Sequence, residues 1–326
     1  MKRTTINCVA LSISAAALLA GCGGSQPPIG APGGMAQTSA LATHAKRGTS
    51  WMLPEAKSGP LLYLSVFKDS EAAVDVFTFP RGKLVGTLTG FASAYGLCSD
   101  NKGNVFVTDW YRQDITEYAH GGTKPIATLA DPGYETTGCS FDPTTGNLAV
   151  VNEATSSGGA GNIAVYANEL GTPTFYSDAV ISYYWYCSYD NAGNFFVSGR
   201  KFLSGGQDFA ELSHGRSDFQ DLSIPFPIGG GMQWDGEYVA VASEVNGENA
   251  QIYRLSVSGS TVTVEGTVPI NRRKHKVNLA GPIWIGDRRI VAPLQHSVAF
   301  WNYPTGGRPV KEKLYKTGRG VTVSYP

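Results

Sequence analysis

Apolar and polar positions follow one another in short runs along most of this chain, and one arrangement of them recurs. From Gly96 to Asp109 the sequence (GLCSDNKGNVFVTD) has the form of a short apolar strand, an aspartate, a Gly-Asn turn and a second strand ending in a polar residue. The same form returns over Gly138–Asn152 and Tyr186–Gly199, in a worn copy over Gly231–Ser243 and faintly over Pro282–Pro293. Short apolar runs bounded by Gly, Asn, Asp and Pro predict strands. Each aspartate follows a first strand, and the Gly-Asn after it supplies the positive-φ turn into the second.

Asp100, Asp142, Asp190 and Asp235 mark equivalent positions, spaced by 42, 48 and 45 residues. A period of that length, with about four strands per unit, is the signature of a β-propeller blade. In the clearest unit the strands fall at Gly96–Ser99, Val105–Thr108, Ile115–Ala119 and Pro125–Leu129. Leu61–Val66 reads as a second strand with no first strand before it, and Gly320–Tyr325 as a first strand with nothing after it. Joined, they complete one blade and leave no open edge, which would be a pairing hazard. The expected fold is therefore all-β: a six-bladed β-propeller of four-stranded antiparallel blades, closed by the C-terminal strand pairing with the N-terminal blade.

Composition agrees, since 40 Gly, 16 Tyr and 14 Phe mean many turns and many pleated, half-buried surfaces. The amino terminus adds a cellular address. Lys2 and Arg3 precede an apolar run from Ile6 to Ala20, too short for a retained membrane span, which ends in Leu-Ala-Gly-Cys22. That ending resembles a bacterial lipobox, implying cleavage before Cys22 and lipidation of that residue. The chain then divides into a signal peptide (1–21), a lipidated Cys22 with a Gly/Pro/Ser-rich flexible tether (22–50) and the propeller (51–326). Membrane lipid becomes the first partner and the cell envelope the location, with the outer membrane preferred because Gly23, not Asp, follows Cys22. The mature chain carries a net charge of −2, which predicts no nucleic-acid partner. The segment from Asn271 onward is +9, however, and reads either as a solvated face or as a docking surface for an acidic partner.

The repeated Gly–x–x–x–Asp–x–x–Gly–Asn–Val–x–Val–x–Asp pattern resembles NHL-type repeats and the related lactonase-like propellers, best over Gly96–Tyr118. Propellers of this kind carry many unrelated functions, so function has to be read from the site. The loops entering the first strands and leaving the second strands share one rim around the axis, where binding residues usually lie. That rim collects Tyr95, Asp109, Trp110, Tyr111, Arg112, Tyr134, Glu135, Asn152, Glu153, Tyr183, Tyr184, Trp185, Arg200, Lys201, Glu244, Gln295 and His296. Its aromatic density suits a sugar ring or an extended peptide, because Tyr and Trp offer apolar faces with a polar tip. The resemblance to lactonase-like enzymes implies a divalent ion, Ca2+ or another, near the axis; here Asp109, Asn152, Glu153 and Glu244 are the oxygen ligands on offer. Apart from that ion no cofactor is expected. The chain holds no G-x-S-x-G elbow, and only His296 of the five histidines falls on the rim, so nucleophilic hydrolysis has little support.

Cys98, Cys139 and Cys187 remain after Cys8 and Cys22. Export permits disulfides. Sheets pack about 10 Å apart, whereas a disulfide wants Cα atoms within about 7 Å, so three buried thiols are expected, with a Cys98–Cys139 bridge as the alternative. The function expected is that of an envelope-tethered, non-catalytic propeller binding a glycan or protein segment through its aromatic rim. A metal-dependent lactonase- or esterase-like hydrolase is the alternative, and an envelope-assembly subunit docking through its basic sixth blade (Arg272, Arg273, Lys274) is a third.

Overall fold

The structure, a computed structural model, describes residues 48–68, 71–201, 205–243, 250–272, 277, 279, 281–315 and 318–326. The leader, Cys22 and most of the tether lie outside these residues, as do Glu244, Arg273, Lys274 and His275.

The described chain is a succession of antiparallel meanders. The first holds β1 (Trp51–Met52), β2 (Leu61–Lys68), β3 (Glu71–Thr78) and β4 (Leu84–Phe91). The second holds β5 (Ala94–Ser99), β6 (Val105–Asp109), β7 (Asp114–Tyr118) and β8 (Pro125–Ala130). β9 (Tyr134–Phe141), β10 (Leu148–Thr155), β11 (Ala160–Tyr166) and β12 (Thr174–Tyr176) make the third. The fourth is β13 (Ile181–Tyr189), β14 (Phe195–Lys201), β15 (Gln207–Leu212) and β16 (Gln220–Asp221). Then follow β17 (Met232–Trp234), β18 (Val239–Ser243), β19 (Ala250–Ser258) and β20 (Thr261–Ile270), and after them β21 (Trp284–Gly286), β22 (Arg289–Leu294), β23 (Ser297–Asn302) and β24 (Gly306–Leu314). A single parallel bridge, Ile270 to Gly307, joins these last two meanders into one eight-stranded sheet. The final strand, β25 (Gly318–Ser324), lies antiparallel against β2, with Leu61 opposite Ser324 and Leu64 opposite Val321.

Two strands depart from the expected pattern. β1 is an extra edge strand on β4, too short for its sequence to announce. β16 covers only Gln220–Asp221, two residues where a full fourth strand would close the blade; Pro225 and Pro227, which have no N–H to donate, follow closely.

Strand alternation buries both faces of each meander. In β6, Val105 and Val107 pack with Val74 and Val76 of the first sheet, while Phe106 between them packs with Val150 and Tyr166 of the third. The same division continues between the third and fourth sheets, the fourth and fifth, the fifth and sixth meanders, and the sixth and first. Each large side chain so buried contributes about 1.5–3 kcal/mol relative to exposure. The turn aspartates cap their hairpins: Asp100 Oδ1 accepts from the amides of Lys102 and Asn104, at 2.9 and 2.7 Å, and Asp190 Oδ1 does the same for Ala192 and Asn194.

First strands touch in succession, β25 to β5, β5 to β9, β9 to β13, β13 to β17, β17 to β21 and β21 to β25. Each has an edge with no strand partner, and buried backbone groups need one. One register position therefore stitches neighbours together. Ser140 Oγ accepts from Tyr189 N at 2.9 Å and Ser188 Oγ from Trp234 N at 2.8 Å, while the Gln233 amide exchanges two bonds with the backbone of Ile285. Cys98 occupies the same position and forms a disulfide with Cys139, with Cα atoms 5.7 Å apart. Three separate thiols are thus not what the fold holds; among the described residues Cys187 alone is free, and buried. The 10 Å spacing of stacked sheets does not apply where first strands converge. A Cβ built on Gly96 would lie 2.1 Å from the Thr137 carbonyl oxygen.

Candidate functional site at the axial mouth

The first strands enclose a cavity of about 270 Å³, lined along its length by residues such as Leu97, Ser99, Ser140, Ser188, Gln233 and Thr322. At the end where these strands begin, a second cavity of about 400 Å³ is lined by Tyr95, Thr137, Glu153, Trp185, Tyr186 and Gln207. The two share Tyr95, Thr137 and Tyr186, so they meet at a common mouth.

The mouth is built by irregular backbone. Register shifts interrupt β5 between Ala94 and Leu97, β10 near Asn152, and β13 between Tyr184 and Tyr186. A bulge of this kind re-aims side chains. In β13 it sends Tyr184 into the core, where it is fully buried and its hydroxyl accepts from Asp178 N at 2.7 Å, and leaves Trp185 half-buried at the mouth.

Charge at the mouth is mixed. The Arg319 guanidinium lies 5.4 Å from the ring centre of Tyr95 and donates to Ser93 Oγ at 3.3 Å. Burial holds the Tyr95 phenol above its ordinary range, Glu153 raises it further, and Arg319 opposes both. Burial, followed by Tyr95 and Glu153, does the same to Tyr186. Glu135 is raised by burial and then by Glu153. Both phenols therefore stay protonated at neutral pH, as hydroxyl donors beside a carboxylate and an indole face.

The expected rim residues divide into several groups. Tyr95, Trp185 and Glu153 meet at the mouth. Asp109 is fully buried, and its carboxylate accepts from the amides of Ala92 (2.6 Å), Ser93 (2.8 Å) and Arg112 (3.2 Å), so it caps a turn. Asn152 is also fully buried, donating to Asp131 Oδ2 at 2.9 Å and Asn162 Oδ1 at 2.8 Å. With Glu244 outside the described residues, Glu153 is the one member of the expected metal set that lines the mouth. Trp110 and Tyr111 pack edge to face at 4.6 Å, beside the exposed Arg112; Tyr134 packs on Phe175 at 5.4 Å. Arg200 lies over the Tyr183 ring at 4.6 Å, Lys201 pairs with Asp208 at 2.9 Å, and His296 is exposed in the turn before β23.

Thr137, Tyr186, Gln207 and Arg319 line the site without having been expected there. A signal existed for Arg319, which precedes Gly320 as Tyr95 precedes Gly96 and Thr137 precedes Gly138. In the C-terminal basic segment, Arg272 pairs with Glu312, and the Lys311 and Lys313 ammonium groups donate to Pro80 O (3.2 Å) and Gly82 O (3.3 Å) of the first sheet. These three positive charges are thus engaged within the molecule.

No family model and no curated protein matches this chain. Solved structures do. A chain of a nidogen/laminin complex superposes with a TM-score of 0.62 at 10% identity, over 82% of this chain and 98% of that one. A functionally unknown protein from Desulfotomaculum acetoxidans DSM 771 does so with a TM-score of 0.54 at 10% identity, over 82% and 99%. A proposed 6-phosphogluconolactonase from Bacteroides fragilis NCTC 9343 gives 0.51 at 10% identity, over 82% and 98%. At such identity the likeness shows the fold alone, and it is that of a β-propeller.

Proposed function

We propose that this protein is a six-bladed, ring-closed propeller that binds a glycan at its axial mouth without turning it over, held at the cell envelope through a lipidated Cys22. Ring closure is supported by the unbroken succession of first-strand contacts and by β25 lying against β2. The envelope address rests on the apolar leader ending at Cys22 and on a Cys98–Cys139 disulfide, which suits an oxidising compartment.

One observation carries the binding reading: the half-buried Trp185 shares a 400 Å³ cavity with the phenols of Tyr95 and Tyr186 and with Glu153 and Gln207. Pockets of this size bind small ligands through apolar walls and a few convergent polar groups. A sugar ring presents a C–H face to an indole and hydroxyls to carboxylate, amide and phenol. The test is retention on insoluble envelope polysaccharide. Trp185→Ala is expected to lose retention while unfolding at the wild-type temperature within about 2 °C, since a half-buried surface residue contributes little to the core. Undiminished retention by that variant would sink the reading, and retention that moves to an immobilised peptide would transfer it to a protein segment.

A further inference from the structure

Because the sheets repeat, one position can be compared across them. On the third strand of four successive sheets, Glu117 stands opposite Phe106, Val165 opposite Ala149, Glu211 opposite Phe196 and Arg254 opposite Ala240. This position looks toward the turn aspartate of its sheet. In the fifth meander the two are complementary, and Arg254 Nε donates to Asp235 Oδ2 at 2.8 Å. In the second sheet an acid faces an acid instead, Glu117 beside Asp100. Glu169, from the turn after β11 in the third sheet, brings a third carboxylate.

One oxygen from each of these three acids lies within 4.8 Å of the others. All are buried, with Asp100 at 8%, Glu117 at 7% and Glu169 at 6% exposure. Glu169 reaches into the cluster with its Oε1 buried and without a hydrogen-bond partner. Among the described residues, the cation paired with the cluster is Lys102, whose Nζ is 3.6 Å from Glu169 Oε2 on a side chain that is 68% exposed. One solvated ammonium cannot balance three buried carboxylates, and like charges so close cannot all ionise unaided. Burial and mutual repulsion hold both Glu117 and Glu169 above the usual carboxylate range.

An all-carboxylate, oxygen-only set suits a hard cation. Ca2+ takes six to eight oxygens at about 2.3–2.6 Å, so oxygens on one ion lie up to about 5 Å apart. Mg2+ demands a stricter octahedron, which an aspartate already fixed by two backbone amides is poorly placed to supply. We infer that Asp100, Glu117 and Glu169 form a Ca2+ site that clamps the second sheet to the third, at the opposite end of β5 from the Tyr95 mouth. The ion would take the part that Arg254 takes in the fifth meander, and it is independent of whatever the mouth binds.

The test uses the full chain, stripped with chelator and then unfolded thermally at pH 7.5 with and without millimolar CaCl2, alongside calorimetric titration with CaCl2. Wild type is expected to bind one ion and gain several degrees, because a ligand bound at a hundred times its Kd stabilises measurably. Glu169→Gln and Glu117→Gln should abolish both signals while unfolding no earlier than the stripped wild type, since each removes a like charge and keeps the shape. Glu211→Gln, at the same position of the fourth sheet, should retain them. The inference is overturned if calcium leaves wild type unmoved, or shifts Glu169→Gln equally. It is also overturned if acidification from pH 7.5 to 5 alone stabilises stripped wild type over Glu169→Gln while calcium does not, which would mark shared protons.

Discussion

Asp131 offers a measurement with a magnitude attached. It is fully buried, its Oδ2 accepts from Asn152 Nδ2 at 2.9 Å, and its Oδ1 has no hydrogen-bond partner. Burial pushes its pKa up from 3.8 to about 6, with the Asn152 hydrogen bond pulling weakly the other way. Because the folded pKa lies above the unfolded one, the native state binds this proton more tightly than the unfolded chain does. The carboxylate therefore costs nothing below pH 4, its penalty grows between about pH 4 and 6, and it stands in full above 6. A displacement of about two pH units, at ~1.4 kcal/mol each, puts the full penalty at roughly 3 kcal/mol. Asp131→Asn keeps the shape and an acceptor for Asn152 but cannot ionise. In urea denaturation from pH 4 to 8, the stability of the variant minus that of wild type should rise by about 3 kcal/mol, whatever its starting value at pH 4. The reasoning fails if that difference stays flat across the range.

Two further substitutions probe the convergence of first strands at the axis. Replacing Cys98 and Cys139 together by Ser removes a cross-link closing a 41-residue separation, and chain entropy predicts a loss of about 3–4 kcal/mol in urea; a loss below about 0.5 kcal/mol would show that the bond adds nothing to the seam. Gly96→Ala sets a methyl 2.1 Å from Thr137 O, on backbone that cannot step aside cheaply, and should cost at least the 1–3 kcal/mol of ordinary overpacking. An Ala at Gly59, where nothing lies within 4 Å, serves as the control, and equal effects at the two sites would contradict the close approach.

The candidate site was only partly legible in the chain. Tyr95, Trp185 and Glu153 sit in loops that the repeat places on the rim, and they do meet at the mouth. Asp109, Asn152 and Tyr184 occupy the same rim positions by sequence, yet all three are buried. For Asn152 and Tyr184 the difference lies in register shifts, since one residue added near Asn152 or between Tyr184 and Tyr186 exchanges the faces of the strand; Asp109 is turned inward to cap its turn. Alternation in the sequence assumes an unbroken pleat, so it cannot say which of two adjacent aromatics turns inward. The Glu169 carboxylate was equally hidden, because it joins Asp100 across a sheet boundary.

Local chemistry is what the sequence determined by itself. Apolar alternation produced the strands, an aspartate with a following glycine produced the first hairpin turn of four meanders, and their return at 42 to 48 residues produced meanders of one kind. These depend on neighbours a few positions apart, which a linear pattern records. Only the folded chain decided how close the first strands come, and hence that Cys98 and Cys139 join, that Gly96 must lack a side chain, and that Arg319 from the last strand stands over Tyr95 from the second sheet. Convergence of the first strands brings together residues of neighbouring repeats, as at Cys98 and Cys139, 41 positions apart, and residues from opposite ends of the chain, as at Tyr95 and Arg319, and a pattern of near neighbours records neither.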